Sequence, residues 1–341
     1  MARRRRGGWL GLLLGLIILA GLLWVGYWYA ARTVAEAAIA RAMSGGTDGQ
    51  TVSCTGLSLS GFPLRLDVRC ARGTYAGAGQ TVTAALGGVA ASAPLYWPGY
   101  VAAELDSPFV VNAPGLALTT SWSAGTATAS AGISGLTGVG ASFASLAVNT
   151  TNVPPGTPVT ALTAAAAGAD ISPAGGGSYA ISGNAKGLNI TRADGSTFPE
   201  VDGEARLVAV DVGPSLGRDP ARTFLAWLRK GGTVNIDRLK IAAAGAIVAV
   251  NGSLTLSPTG LLSGTVLIRF NDIKAVAALL DAIKPGAAER NNTALMGLNA
   301  VTVPVDTEDG PMRQTALTFT DGAMWLGIIP LPVNPVPPLR F

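Results

Sequence analysis

The chain has 341 residues, room for one large domain or two of ordinary size. Only 13% of them are charged, against a usual share of about 25%. The net charge of +4 comes entirely from Arg3, Arg4, Arg5 and Arg6: without them 24 − 4 = 20 basic residues meet 20 acidic ones. A neutral body has no basic face for phosphates, so nucleic acid is excluded as a partner, and the absence of any histidine excludes chemistry that needs an imidazole.

Directly after the four arginines, the run from Trp9 to Ala30 is apolar and carries no charge. A helix needs roughly 20 apolar residues to cross a bilayer, so this run suffices. Positive charge stays on the cytoplasmic side, which puts the N-terminus inside and the rest outside. Trp24, Tyr27, Trp28 and Tyr29 gather at the far end, where amphipathic rings favour the interface, and Arg32 follows as a snorkelling residue. A cleaved signal peptide is the alternative, with Ala35-Glu36-Ala37 as its site, but its apolar core is normally only about 7–15 residues. Residues 1–32 are therefore read as a basic tip and a retained membrane anchor. Residues 33–46 continue as a helical stalk that Gly45 and Gly46 end.

Cys54 and Cys70 are the only cysteines. Between them Leu57 and Leu59 alternate with serines, Gly61-Phe62-Pro63 breaks the run, and Leu64, Leu66 and Val68 alternate with charged residues. This is a strand–turn–strand pattern. Folded about Phe62, it brings the cysteines opposite each other, within reach of a disulfide that suits an oxidising compartment; two buried free thiols are the alternative. Two thiols without histidine make an incomplete metal-ligand set.

The body, residues 47–341, reads as mostly β, an α+β fold of antiparallel meander sheets with a few short helices. Serine, threonine and glycine are poor helix formers, and they dominate its middle. Pro94–Tyr100 is an aromatic, proline-rich turn, Val153–Gly156 another break, and Ser172–Gly175 the softest internal boundary, near residue 175. Asp219-Pro220 is read as the start of a helix over 221–230, stopped by Gly231 and Gly232. Strands follow over 233–241, 246–256 and 262–270. Asn271 then caps an amphipathic helix over 272–283 with the stripe Ile273, Val276, Ala277, Leu280 and Ile283, which either packs on the sheet as core or lids a trough. A weaker helix covers 288–298. Strands over 315–320 and 323–328 flank Asp321-Gly322, a two-residue hairpin signal.

Four segments match patterns that can carry chemistry. Gly213-Pro214-Ser215-Leu216-Gly217 matches a nucleophile pattern, but with no histidine base and with Pro214 before the serine it is a chance match. Glu200, Asp202 and Glu204 share one strand face and read as a solvated edge rather than a glycosidase pair. Asp306, Glu308 and Asp309 have hard-cation ligand types at a spacing that matches no established calcium loop. The glycine-rich stretch 132–140 lacks the ending of a phosphate loop and reads as turns.

The order Cys54…Gly61-Phe62-Pro63-Leu64-Arg65-Leu66…Cys70, Pro94–Pro98, Ser107-Pro108-Phe109, Asn251–Leu256, Gly264–Ile268 and Leu317–Gly322…Pro330-Leu331 resembles a proteobacterial family, domain of unknown function 2125. The likeness spans nearly the whole chain after the anchor. It implies an anchored periplasmic protein and carries over no catalytic residue. A weaker, fold-level likeness to AsmA-type envelope proteins implies an elongated, curled sheet with a greasy interior for acyl chains.

The expectation is thus a non-enzymatic, single-pass inner-membrane protein with its body in the periplasm. It takes no cofactor or metal, and its partners are the inner membrane and lipid or other envelope proteins. The first reading is handling of lipid or lipopolysaccharide; the second is a periplasmic scaffold or partner-binding module; a carboxylate carbohydrate hydrolase comes last.

Overall fold

The computed structural model describes residues 7–44, 50–77, 79, 81–133, 135–151, 159–217, 220–327 and 329–330. Arg3 to Arg6, the Gly45-Gly46 stop, the 153–156 break, Asp219 and the C-terminal tail lie outside them.

Apolar sequence gives one long helix, α1 (Gly7–Met43), so that the expected anchor and stalk are continuous. The first hairpin holds β1 (Thr51–Thr55), β2 (Ser58–Ser60), β3 (Arg65–Cys70) and β4 (Arg72–Ala76). Long strands follow: β5 (Thr83–Pro94), β6 (Tyr100–Ala113), β7 (Leu116–Ser121), β8 (Ala124–Gly132), β9 (Gly135–Thr151), β10 (Val159–Gly175), β11 (Ser178–Arg192) and β12 (Val201–Val210). After α2 (Pro220–Arg229) come β13 (Thr233–Ala243), β14 (Ala246–Leu256) and β15 (Leu262–Phe270). The helices α3 (Ile273–Ile283), α4 (Ala287–Arg290) and α5 (Asn292–Val301) precede β16 (Val303–Thr307), β17 (Gly310–Thr320), β18 (Ala323–Leu326) and β19 (Ile329–Pro330).

All pairings are antiparallel, between neighbours in the chain, one strand beyond or, for β1 with β4, two beyond, so a single sheet runs from β1 to β19. The mostly β, antiparallel fold read from the sequence is the one observed. The weak helix expected over 288–298 is two helices, broken at Asn291. β16 has no counterpart in the sequence reading. Gly135–Gly140, read as turns, begin β9; only Gly132 and Gly135 bracket a turn. Asn271 does not cap α3. Asp272 does, accepting from the backbone N–H of Lys274 at 3.0 Å, while Asn271 ties down the β13–β14 turn by accepting from Ile247 N and donating to the Gly245 carbonyl. Asp321 (φ 48°) and Gly322 (φ 83°) make the left-handed two-residue turn that the sequence indicated.

The core is divided. One cluster joins Trp28 of α1 to Leu66 and Leu95, with Trp24, Ala31, Ala35 and Leu59 around it. Elsewhere Tyr179, Ala209 and Leu216 are buried beside α2, and Phe270, Ala246, Ala243 and Met312 near the start of α3. Burial pushes the Tyr179 hydroxyl above its ordinary pKa.

Candidate functional site

Register makes the sheet two-faced. Side chains alternate along a strand, and residues directly opposite one another share a face. One line of partners runs Val68, Ala91, Ala103, Ala127, Ala141, Ala169, Gly183, Ala205, Leu239, Val250 and Ile268. A second apolar line, two residues along each strand and three along β13 where the register shifts, runs Val101, Ala129, Val139, Ile171, Ile181, Leu207 and Ile236. From Ala91 to Ala205 the first line is built only of alanine and glycine, and its neighbour carries branched side chains. The result is a shallow floor beside a taller wall, crossing the strands. With strands about 4.8 Å apart, the floor from β5 to β12 is about 29 Å long. α2 packs on this face at the ends of β11 and β12, with the Phe224 ring 6.5 Å from Tyr179, and α3 packs against β14, while Ala169 and Leu239 on the line are exposed.

The opposite face is polar. Its line runs Arg69, Ala90, Glu104, Thr126, Ser142, Gly168, Asn184, Glu204, Lys240, Ala249 and Arg269. A cleft of about 610 Å³ opens on this face over Ser58, Asp67, Ser92, Glu104 and Thr126. Within it Ser92 donates to Asp67 at 2.7 Å, and at its border the Thr126 and Ser142 hydroxyls lie 2.7 Å apart.

Four of the six candidate carboxylates, Asp202, Glu204, Glu308 and Asp309, are engaged in ion pairs or hydrogen bonds. Glu204 meets Arg206 and Arg238, and Asp202 accepts from Gly187 N at 2.8 Å. Glu200 directly precedes β12. Asp309 turns the β16–β17 corner onto Arg238 at 2.9 Å and onto Lys240, and Glu308 reaches Arg238 at 3.5 Å. The cations beside these acids are thus the protein's own. Lys240, then Arg238, hold the Asp309 carboxyl below its ordinary range. In the nucleophile-like segment, Leu216 is fully buried and bonded through its backbone to Leu136, which fixes the loop as packing. Among the described residues no group of three or more acidic, cysteine or histidine side chains is arranged to hold a metal ion.

Cys54 and Cys70 are brought together, with Cα atoms 5.7 Å and sulfurs 2.12 Å apart. They are not opposite one another, as folding about Phe62 implied: Cys54 faces Gly73, and Cys70 faces Val89 of the next strand. The ladder breaks at Gly56 (φ 70°) against Ala71, and the two sulfurs meet across that break.

The aromatic residues expected at a membrane interface have a second occupation. Trp28 is 4% exposed, donates to the Arg65 carbonyl at 3.0 Å and meets the Phe62 ring edge-on at 5.3 Å. Trp24 donates to the Pro63 carbonyl at 2.7 Å, and the Tyr27 hydroxyl to the Leu95 carbonyl at 3.4 Å. Tyr29 is exposed, with its ring edge-on to Trp28 at 5.2 Å. Arg32 pairs with Glu36 at 2.8 Å and lies 5.7 Å from the Trp28 ring. Composition could not reveal this docking, because α1 is apolar all round at Trp24; only the spacing Trp24, Trp28, Ala31, Ala35 marks one face.

Fold and site together define a β-rich protein with a two-faced sheet, fastened to an N-terminal helix long and apolar enough to cross a membrane, a property that a signal sequence shares. The chain belongs to the family described as an uncharacterised protein conserved in bacteria, DUF2125, whose model matches residues 28–337. No curated protein and no solved structure shows significant similarity to it.

Proposed function

We propose that this protein is held in the inner membrane by α1 and uses the apolar face of its periplasmic sheet to carry lipid acyl chains. The observation behind this reading is the alanine–glycine floor with its branched wall. It is about 29 Å long, roughly twice the ~15 Å depth of the acyl chains in one leaflet. Small residues leave room for a chain lying across the strands, and the apolar lining favours hydrocarbon over water. Burial of Trp28 against Leu66 and Leu95 favours a retained helix over a cleaved one, since cleavage at Ala35-Glu36-Ala37 would remove a core side chain. The four arginines at the N-terminus favour a cytoplasmic tip.

The test is native mass spectrometry of the full chain purified from a bacterial envelope, beside the variant Ala169→Glu. Wild type carries phospholipid or lipopolysaccharide, and the variant stays folded and loses most of that load. A folded wild-type protein that is always free of lipid, or a variant with full load, rejects the reading. Retention in the pellet after alkaline carbonate washing, with a periplasm-active reporter working at Phe341, tests the anchor separately. Release of a shortened soluble chain would show a cleaved signal.

A further inference from the structure

The end of the sheet from which α1 emerges carries a set of exposed large apolar side chains. Phe62 and Leu64, at the tip of the first hairpin, are 54% and 58% exposed, and Tyr96 and Trp97, in the β5–β6 loop, are 70% and 69% exposed. Ile133, in the β8–β9 turn at the same end, is fully exposed. These loops are not loosely placed. Gly99 (φ 93°) sits so close to the Ala131 carbonyl that a Cβ would strike it, and Ala131 N donates to the Gly99 carbonyl at 2.6 Å.

The height of this rim along α1 is fixed by hydrogen bonds. The Pro63 carbonyl, between Phe62 and Leu64, accepts from Trp24, and the Leu95 carbonyl, next to Tyr96, accepts from Tyr27. Below that level α1 continues from Leu23 to Trp9, the rest of its apolar run. At about 1.5 Å per residue it rises about 22 Å, short of the roughly 30 Å hydrocarbon core of a bilayer. A helix that crosses the membrane at this length draws the docked loops down into the outer interface. The side chains found there are aromatic and aliphatic, and aromatic rings are the type that settles among headgroups.

We infer that Phe62, Leu64, Tyr96 and Trp97 form a rim that inserts into the periplasmic leaflet of the bilayer that α1 spans. This inference rests on α1 being a membrane anchor and adds the body's attitude: the strands stand with their Phe62–Trp97 end on the lipid, and the alanine floor runs parallel to the leaflet, beyond the branched line that starts at Val101.

The experiment uses the full chain in phospholipid nanodiscs, with a polarity-sensitive fluorophore on a single introduced thiol and lipids bearing a quencher at a known acyl depth. The thiols are Leu64→Cys, Trp97→Cys, Leu19→Cys within the helix, and Ala244→Cys in the β13–β14 turn at the opposite end. Labels at 64 and 97 lose most of their emission to shallow quenchers, the label at 19 loses it to deep quenchers, and the label at 244 keeps its emission. Quenching at 19 without quenching at 64 and 97 overturns the rim and leaves the anchor standing. Absence of quenching at 19 overturns both.

Discussion

The indole of Trp28 donates to the backbone carbonyl of Arg65 at 3.0 Å, joining a residue of the apolar helix to the first long strand edge of the body. One side chain thereby belongs to two structures at once, the helix that fits a membrane and the sheet outside it. Trp28→Ala should lower the stability of the body by about 3–5 kcal/mol, the usual effect of emptying a buried aromatic site. Trp28→Phe, which keeps most of the packing and loses the hydrogen bond, should lower it by about 1 kcal/mol. Denaturant unfolding of the detergent-solubilised full chain checks both. Equal stability of wild type and Trp28→Ala would show that helix and body are energetically independent.

The cysteines give a second test. Non-reducing proteolysis of protein taken from the envelope should yield one peptide pair joined through Cys54 and Cys70. Replacing either by serine should destabilise the chain by roughly 2–4 kcal/mol, because the closed loop restricts the unfolded state. Two thiols that alkylate freely without reductant would contradict the pairing.

Asp309 makes the stability depend on pH. Its carboxyl is held below the ordinary range by Lys240 and Arg238, so the folded state favours the ionised form more than the unfolded state does. That contribution is present above the unfolded value of about 4 and disappears as pH falls through the depressed folded value. Asp309→Asn should therefore cost about 1–2 kcal/mol at neutral pH, with Arg238 and Lys240 left facing an amide. The difference from wild type should shrink in acid. Urea unfolding of both proteins at neutral and strongly acidic pH measures it, and a difference constant with pH would remove the ionised carboxylate from the account.

The last turn of α3 is held from across the sheet. Arg192, at the end of β11, donates to the carbonyls of Ala282 at 3.2 Å and Ile283 at 2.8 Å, while α3 begins beside the end of β15. The helix therefore bridges the ends of the strands between, and no residue of it is buried. Arg192→Ala should loosen its C-terminal turn by about 1–3 kcal/mol and leave the rest of the sheet unchanged, since the bonds lost are to a charged donor. Hydrogen exchange should quicken at residues 282–284 and stay unaltered in β9 and β10. Leu280→Asp separates two roles for the helix: as packed core it should lose several kcal/mol of stability, and as a lid it should remain folded with less bound lipid.

Much of the fold was legible locally. Asp321-Gly322 announced its hairpin because a tight turn needs two left-handed residues, and Gly231-Gly232 announced the end of α2 because glycine neither supports a helix nor resists the turn after it. The strands from Thr233 to Phe270 showed their alternation because large apolar residues mark one face. The candidate site was far less legible. Along the line from Ala91 to Ala205 one face is alanine and glycine, so its alternation with serine, threonine or glycine opposite gives hardly any contrast. β16 was missed because Pro304 and Asp306 are poor strand formers that pairing with β17 overrides.

The amino-acid sequence by itself determined the one apolar helix, the neutral body, the mostly β architecture and the nearness of two cysteines, because these follow from composition, run length and local turn chemistry. Only the tertiary structure decided which residues lie side by side. Register across successive strands aligned alanines from Ala91 to Ala205 into one floor, turned Asp309 onto Arg238 and Lys240, and set Trp28 into the body instead of leaving it to face lipid. Each of these is a contact between residues far apart in the chain, fixed by backbone pairing and burial.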